Sequence, residues 1–269
     1  MRLLPRREVC KYKGVERWLH TLIFFENKFA SEKERFLLTS KYAFVIIVHR
    51  ETDNKCLICV KGLTERRKMN RKPYSPAIKK TPFKYPIAKK IAKLMLDGLD
   101  YDELYKKCFD ENYVEIESLE RRREVTNVIY NRLCALDEFL LKEFYNGDVE
   151  TSKFILVYAI AKTDTLFFDF LFEKYRDALM SQERRYLSID DFDSFFESKK
   201  QVDLIVAKWG EFTLKCLTKG YRNILVESGL GRRERKTIVV DRMMIHPAVE
   251  EHIELIGDKD YLKATLGGD

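Results

Sequence analysis

Histidine is scarce in this sequence, with four in 269 residues, and that narrows the chemistry available to it. His246 and His252 are the closest two and do not complete a metal-ligand set, while His20 and His49 offer no ligand spacing to the Cys56-x-x-Cys59 pair. The sequence has no G-x-x-x-x-G-K-[ST] loop to cradle phosphates and no H-E-x-x-H. The acids Asp190, Asp191 and Asp193 fall in the first turn of an expected helix, where they offset its positive end, and this explains them without a metal. We therefore expect no enzyme, no metal and no cofactor.

Long apolar runs are also missing. The most prominent, Phe154 to Ala161, lies between Lys153 and Lys162 and is far shorter than the roughly 18 residues a membrane span needs. No apolar stretch with a small-residue cleavage site follows Arg2, Arg6 and Arg7, which argues against a secretory signal and for a cytoplasmic location. The six cysteines are scattered, as suits a reduced compartment, and Cys56 and Cys59 read as two buried strand thiols.

Charge is plentiful and unevenly placed. The net charge is +7, but residues 1–68 hold 16 Lys/Arg against 8 Asp/Glu and residues 69–269 hold 34 against 35. A screened field from the whole chain cannot attract an anionic partner, so local patches must. From Arg71 to Lys93 the basic residues Arg71, Lys72, Lys79, Lys80, Lys84, Lys89, Lys90 and Lys93 meet no acid. Pro73, Pro76, Pro82 and Pro86 keep the first half out of regular helix. This reads as a basic extended arm feeding a helix from Pro86, with Ile87, Ile91, Leu94 and Met95 inward and Lys89, Lys90 and Lys93 outward, until Gly98 ends it.

Asp100 with Glu103 makes a capping-box start for a short helix to Phe109. Ser118 opens a third helix that is expected to run to Gly147, because Val125, Ile129, Leu133, Leu136, Leu140 and Phe144 keep 3.6-residue spacing. Three helices in this order are compatible with a helix-turn-helix module and equally with any small bundle. Thr151 or Ser152 caps the next apolar helix. Thr165 to Ser181 carries Phe167, Phe168, Phe170, Leu171, Phe172 and Tyr175 around most of its circumference, which requires burial on several sides. Ser188 with Asp191 starts a helix with Phe192, Phe195 and Phe196 inward.

After Trp209, a helix ending at Gly229 buries Leu217, Tyr221, Ile224 and Leu225, and sets Lys215, Lys219 and Arg222 on another face at i, i+4 and i+7. A basic turn with Arg232, Arg233, Arg235 and Lys236 follows, then a hairpin from Thr237–Val240 and Met243–Ile245. Helix, basic turn and short hairpin is the order of a winged helix. Pro247 reopens a terminal helix.

These residues carry a family resemblance. The string Glu150-Thr-Ser-Lys-Phe-Ile-Leu-Val-Tyr-Ala-Ile-Ala-Lys-Thr-Asp-Thr-Leu-Phe-Phe-Asp-Phe, with Ala207-Lys-Trp-Gly-Glu-Phe-Thr and Ile224-Leu-Val-Glu-Ser-Gly-Leu, resembles the BrxA family of bacteriophage exclusion (BREX) systems. Ile256-Gly-Asp, Tyr261-Leu-Lys-Ala and Arg132-Leu are similar too, and the likeness extends from Pro73 to Gly267. It implies a cytoplasmic helical protein partly similar in fold to NusB antitermination factors, binding double-stranded DNA through basic surface. It also implies partner subunits in the same system: a methyltransferase, ATPases and a phosphatase-like protein. It carries no site residue over.

The expected architecture is mostly α: an N-terminal segment 1–68, a basic arm and trihelical module 69–148, a helical bundle core 149–205 and a winged-helix-like module 206–269. Arg121, Arg122 and Arg123 sit in the first turn of the third helix, where positive charge opposes the helix dipole and an anion would relieve the conflict. Internal pairing with Glu117 or Glu124 would do the same. The expected function is DNA binding by the patches named, with an RNA-binding NusB-like factor and an assembly scaffold as alternatives.

Residues 1–68 lie outside the resemblance, and Met69 is the expected natural start. Glu65-Arg66-Arg67-Lys68 can be encoded with AGGAGG, a ribosome-binding sequence, just ahead of an ATG. Against that, Ala43–Val48 and Cys56–Val60 flank Thr52-Asp53-Asn54 as a hairpin would.

Overall fold

A computed structural model describes residues 72–268 and, ahead of them, the backbone of four strands. The chain divides into two compact units, 1–71 and 72–269. In the first unit, β1 (Leu22–Phe24), β2 (Glu34–Thr39), β3 (Phe44–Arg50) and β4 (Cys56–Gly62) form an antiparallel meander in chain order. β3 pairs with β4 from Phe44↔Gly62 to Arg50↔Cys56. The turn expected at residues 52–54 and the thiols of Cys56 and Cys59 lie outside the described residues.

The second unit is helical, and its ends are set by side chains. α1 (Tyr85–Leu96) starts after Lys84, which adopts a left-handed conformation (φ 58°), with proline in its first turn. The Asp100–Glu103 capping box opens α2 (Tyr101–Phe109), with Glu103 N–H on Asp100 Oδ1 at 2.9 Å. Ser118 caps α3 (Leu119–Leu133).

The single long helix expected from Ser118 to Gly147 is two. Asp137 accepts Leu140 N–H at 2.9 Å and starts α4 (Glu138–Asn146) afresh, the local bond by which Asp competes with helix continuation. Val125, Ile129, Leu133, Leu140 and Phe144 are nevertheless all buried, so spacing alone did not reveal the break.

α5 (Val149–Thr163) is the central helix, with residues 154–161 buried throughout. Its cap is Asp148, which accepts Thr151 N–H at 2.8 Å. The expected caps, Thr151 and Ser152, are buried inside the helix instead. Asp164 caps α6 (Thr165–Phe170), after which a π-helical turn (Leu171–Tyr175) leads into α7 (Arg176–Met180). The aromatics of this stretch pack with α8 (Ile189–Val202), which opens at the Ser188–Asp191 capping box. Phe170 stacks on Phe192 at 4.9 Å between centroids and meets Phe195 edge-on at 5.4 Å. α9 (Leu204–Ala207) and α10 (Glu211–Ser228) follow, and Gly229 ends α10 in the left-handed region (φ 96°), as C-terminal glycines do.

A small antiparallel sheet in the order β5-β7-β6 joins β5 (Tyr186–Leu187) to a hairpin of β6 (Gly231–Glu234) and β7 (Thr237–Val240). The hairpin comes one strand earlier than expected. The residues read as a basic turn supply β6, and Arg235 (φ 52°) and Lys236 close the turn. Met243–Ile245 form no strand, because neighbouring amides are engaged elsewhere: Met244 N–H donates to Glu150 Oε1 at 2.7 Å and His246 N–H to Thr151 Oγ1 at 3.0 Å. α11 (Pro247–Leu255) and α12 (Lys259–Leu266) complete the unit. Among the described residues, no helix is long and apolar enough to cross a membrane.

The basic arm is not free. Tyr74 OH donates to Asp169 Oδ2 at 2.6 Å. Ile78, fully buried, lies on α10 at Gly220, where a Cβ would come within 3.0 Å of it. Arg132 donates to the carbonyls of Thr81 (2.6 Å) and Pro82 (2.8 Å), and Phe83 is buried. Residues 72–84 therefore form a strap laid across α6, α10 and α3. The strap, expected to be extended, holds a 3-10 turn at Ala77–Lys79; beyond it backbone groups must find partners elsewhere, and α3 supplies two through Arg132.

Candidate nucleic-acid interface

The sixteen expected site cations fall into two groups. Several serve the fold. Lys89 Nζ donates to Tyr145 O at 2.9 Å and Ser152 Oγ at 3.0 Å, and it also reaches Phe144 O. It thereby closes the C-terminus of α4, and burial pulls its pKa below the usual lysine value. Lys90 pairs with Glu115 at 2.6 Å. Arg122, only 7% exposed, gives its Nε to Ile116 O at 2.8 Å and its terminal nitrogens to the carbonyls of Phe109 and Glu117. Lys89 and Arg122 thus spend their donors on carbonyls left over at helix ends and loops, and Lys90 adds a bond to Tyr113 O at 3.3 Å.

Arg121 pairs with Glu124 at 2.8 Å and donates to Lys80 O, while Lys80 Nζ reaches Glu124 at 3.2 Å. The pairing within α3 that competed with an anionic partner is thus present. Arg123 is exposed but donates to Tyr105 OH at 2.9 Å and lies over the Phe109 ring.

The second group keeps its charge outward. Lys219 is exposed on α10, and Arg233, Arg235 and Lys236 are exposed on the hairpin, with no ion pair or side-chain hydrogen bond among the described residues. Lys84 and Lys93 are exposed and unpaired in the same sense, and Lys79 is half-buried beside Ile78 on the strap. Lys215 is exposed but bridged to Glu211 at 2.6 Å, which raises its pKa. Arg232 is divided between Glu234 and Asp241, each at 3.2 Å.

Arg222 has a different part to play. It is half-buried, its Nη2 donates to Lys236 O at 3.0 Å, and burial and then the charge of Arg233 lower its pKa. It fastens the hairpin turn to α10. One surface thus carries Lys219 on α10, Arg233, Arg235 and Lys236 on the hairpin, and the strap with Lys79 where it crosses Gly220.

The root of the hairpin is clamped as well. Tyr175 OH lies 2.9 Å from Leu230 O and 2.8 Å from Asp241 O, the residues before β6 and after β7. Sequence reasoning placed Tyr175 only as core. It also missed Arg185 and Arg242, which the β5-β7 pairing brings to one cleft although 57 residues of chain numbering separate them. Nothing local in the sequence marks that meeting. Among the described residues no group of His, Cys, Asp and Glu is placed to hold a metal.

Comparison with known proteins assigns this arrangement to a family. The sequence model of BrxA matches residues 72–257. The chain belongs to the BrxA family. It is 33% identical over 194 residues to the BREX protein BrxA of Bacillus cereus (strain H3081.97), covering 72% of this chain and 96% of that protein. The fold is shared with a crystal structure of an uncharacterized protein from Magnetospirillum magneticum, with a TM-score of 0.63 at 22% identity over 73% of this chain and all of that one.

Proposed function

We propose that this chain is a non-enzymatic, double-stranded-DNA-binding component of a BREX phage-defence system, acting with the other BREX subunits. The observation that supports this most is the joined α10–hairpin surface: four outward cations, Lys219, Arg233, Arg235 and Lys236, on elements fixed to one another through Arg222 and Lys236 O. Fixed cations lose less conformational freedom on meeting phosphates than freely moving ones. A helix with a β-hairpin beside it is also the arrangement by which winged helices meet duplex DNA. Because the cations are Lys and Arg on an exposed ridge, contacts to phosphate should dominate and sequence preference should be weak.

The test is competition between duplex DNA and single-stranded RNA for the full chain at two salt concentrations. Duplex preference with a steep salt slope is expected, each phosphate contact contributing about 0.9 to the slope of log affinity against log salt. Preference for the RNA would instead favour the NusB-like reading. Binding to neither would leave the assembly role and remove DNA binding.

A further inference from the structure

The Arg185–Arg242 cleft lies where the chain enters β5 and just after it leaves β7. It has a volume of about 410 Å³, within the range of small-ligand pockets. Leu179 and Met180 at the end of α7 and Leu266 at the end of α12 provide its apolar lining, Ser181 and Gln182 its neutral polar groups, and Arg185 and Arg242 its charge. Gly267 closes on this floor, where a Cβ would meet Met180 Sδ at 2.7 Å.

Three observations bear on its occupant. No aspartate or glutamate lines the cleft. Both arginines are exposed, and neither guanidinium makes an ion pair or hydrogen bond among the described residues. Val240 N–H donates to Arg185 O at 3.0 Å, and Arg242 follows Val240 by two residues, which brings both arginines to this cleft. Two guanidiniums lining one cleft without an acid beside them favour an anion there. Their planar forks match phosphate oxygens in pairs, which an ammonium cannot do.

We propose that this cleft is a phosphate-binding site, separate from the α10–hairpin surface. Its phosphate comes either from the DNA backbone passing the hairpin or from a free nucleotide whose less polar part rests on Leu179, Met180 and Leu266. The site does not depend on the DNA reading, since free phosphate compounds probe it directly.

The experiment is calorimetric titration of the full chain with inorganic pyrophosphate, repeated with the R185Q/R242Q variant, alongside duplex-DNA binding by both proteins. Both side chains are exposed, so the variant should fold, and its thermal midpoint checks that. Pyrophosphate should bind the natural chain and lose at least about tenfold in affinity in the variant, the change expected from a lost charge-assisted hydrogen bond. Displacement of pyrophosphate by ATP, with duplex binding unchanged in the variant, assigns the free-nucleotide source. Weakened duplex binding in the variant, with a salt slope smaller by roughly 1.8, assigns the DNA backbone. If the natural chain binds no duplex but its pyrophosphate binding still needs the arginines, the DNA reading fails and this site stands. Pyrophosphate binding that the variant retains overturns the proposal, as does absence of pyrophosphate binding with identical duplex affinity in both proteins.

Discussion

The basic residues of α1–α3 and those of α10 and the hairpin look alike in the sequence and differ in what they are free to do. Around α1–α3, helix ends and loops leave carbonyls without partners. Lys89 takes those at the end of α4, Arg122 takes Phe109, Ile116 and Glu117, and Arg132 takes the strap carbonyls at Thr81 and Pro82. At the C-terminal surface the hairpin pairs its own backbone and Gly229 closes α10, so few carbonyls compete for cations. Availability of a positive charge is therefore decided by the unsatisfied acceptors near it more than by the local count of Lys and Arg.

The largest expected effect tests this contrast directly. Replacing Lys219, Arg233 and Lys236 together by Glu should weaken duplex binding by roughly a thousandfold, about 4 kcal/mol. The thermal midpoint should stay near that of the natural chain, because these side chains are exposed. Replacing Lys80 and Lys90, which already pair with Glu124 and Glu115, by Gln should do far less. Equal losses from the two sets, measured by fluorescence anisotropy, would erase the distinction between the regions.

Arg122→Met should show the opposite profile. Loss of a buried guanidinium leaves acceptors unsatisfied and should cost about 3 to 4 kcal/mol of unfolding free energy, measured in urea. Duplex affinity per folded molecule should not change. A selective loss of DNA binding at full stability would mean that Arg122 reaches DNA after all.

Much of the fold was legible because capping chemistry is local. Asp100–Glu103 and Ser188–Asp191 form the boxes their spacing implies, and the inward Phe192, Phe195 and Phe196 are buried. Legibility failed where a bond between distant residues decided the outcome. Glu150 and Thr151 hold the backbone at Met244 and His246, which converts an expected strand into a loop, and Gly220 admits Ile78, which turns an expected arm into a strap. The exposure of the candidate cations was half legible for the same reason. Lys219 and the hairpin cations stay exposed whatever lies far away, whereas the fate of Lys89 depended on a helix end 55 residues along the chain.

The strapped region also carries a cost that can be titrated. Burial raises Asp164 to about 6 from 3.8, against the opposing help of Phe167 N–H and the Arg132 charge. The folded protein thus holds this proton more tightly than the unfolded chain does. Stability attributable to Asp164 is full below about pH 4 and falls as pH rises toward 6, by up to about 3 kcal/mol. Asn can keep the cap on α6, so Asp164→Asn should gain stability relative to the natural chain across that interval and stay level above it. Glu124, Asp137 and Asp148, whose pKa values are lowered, act in the opposite sense and cancel in the difference between the two proteins. A difference that does not vary between pH 4 and pH 7 would show that Asp164 is not strained.

The smallest expected effect concerns the hairpin's root, where the free cations gain their fixed position. Tyr175→Phe keeps the ring in the core and removes one hydroxyl from between Leu230 O and Asp241 O. Leu230 O still accepts Asp241 N–H at 2.9 Å, so a single carbonyl loses its partner and the expected cost is about 1 kcal/mol. No cation is removed, so the salt slope of duplex binding should not move. Affinity should fall only a few-fold, through the extra freedom of β6 and β7 that binding must then remove. Amide exchange offers the sharper readout: protection should drop at Asp241 and Val240 while that of α3 stays unchanged. Faster exchange spread equally over both regions would mean that Tyr175 supports the whole core, and that the C-terminal surface owes its order to something other than this clamp.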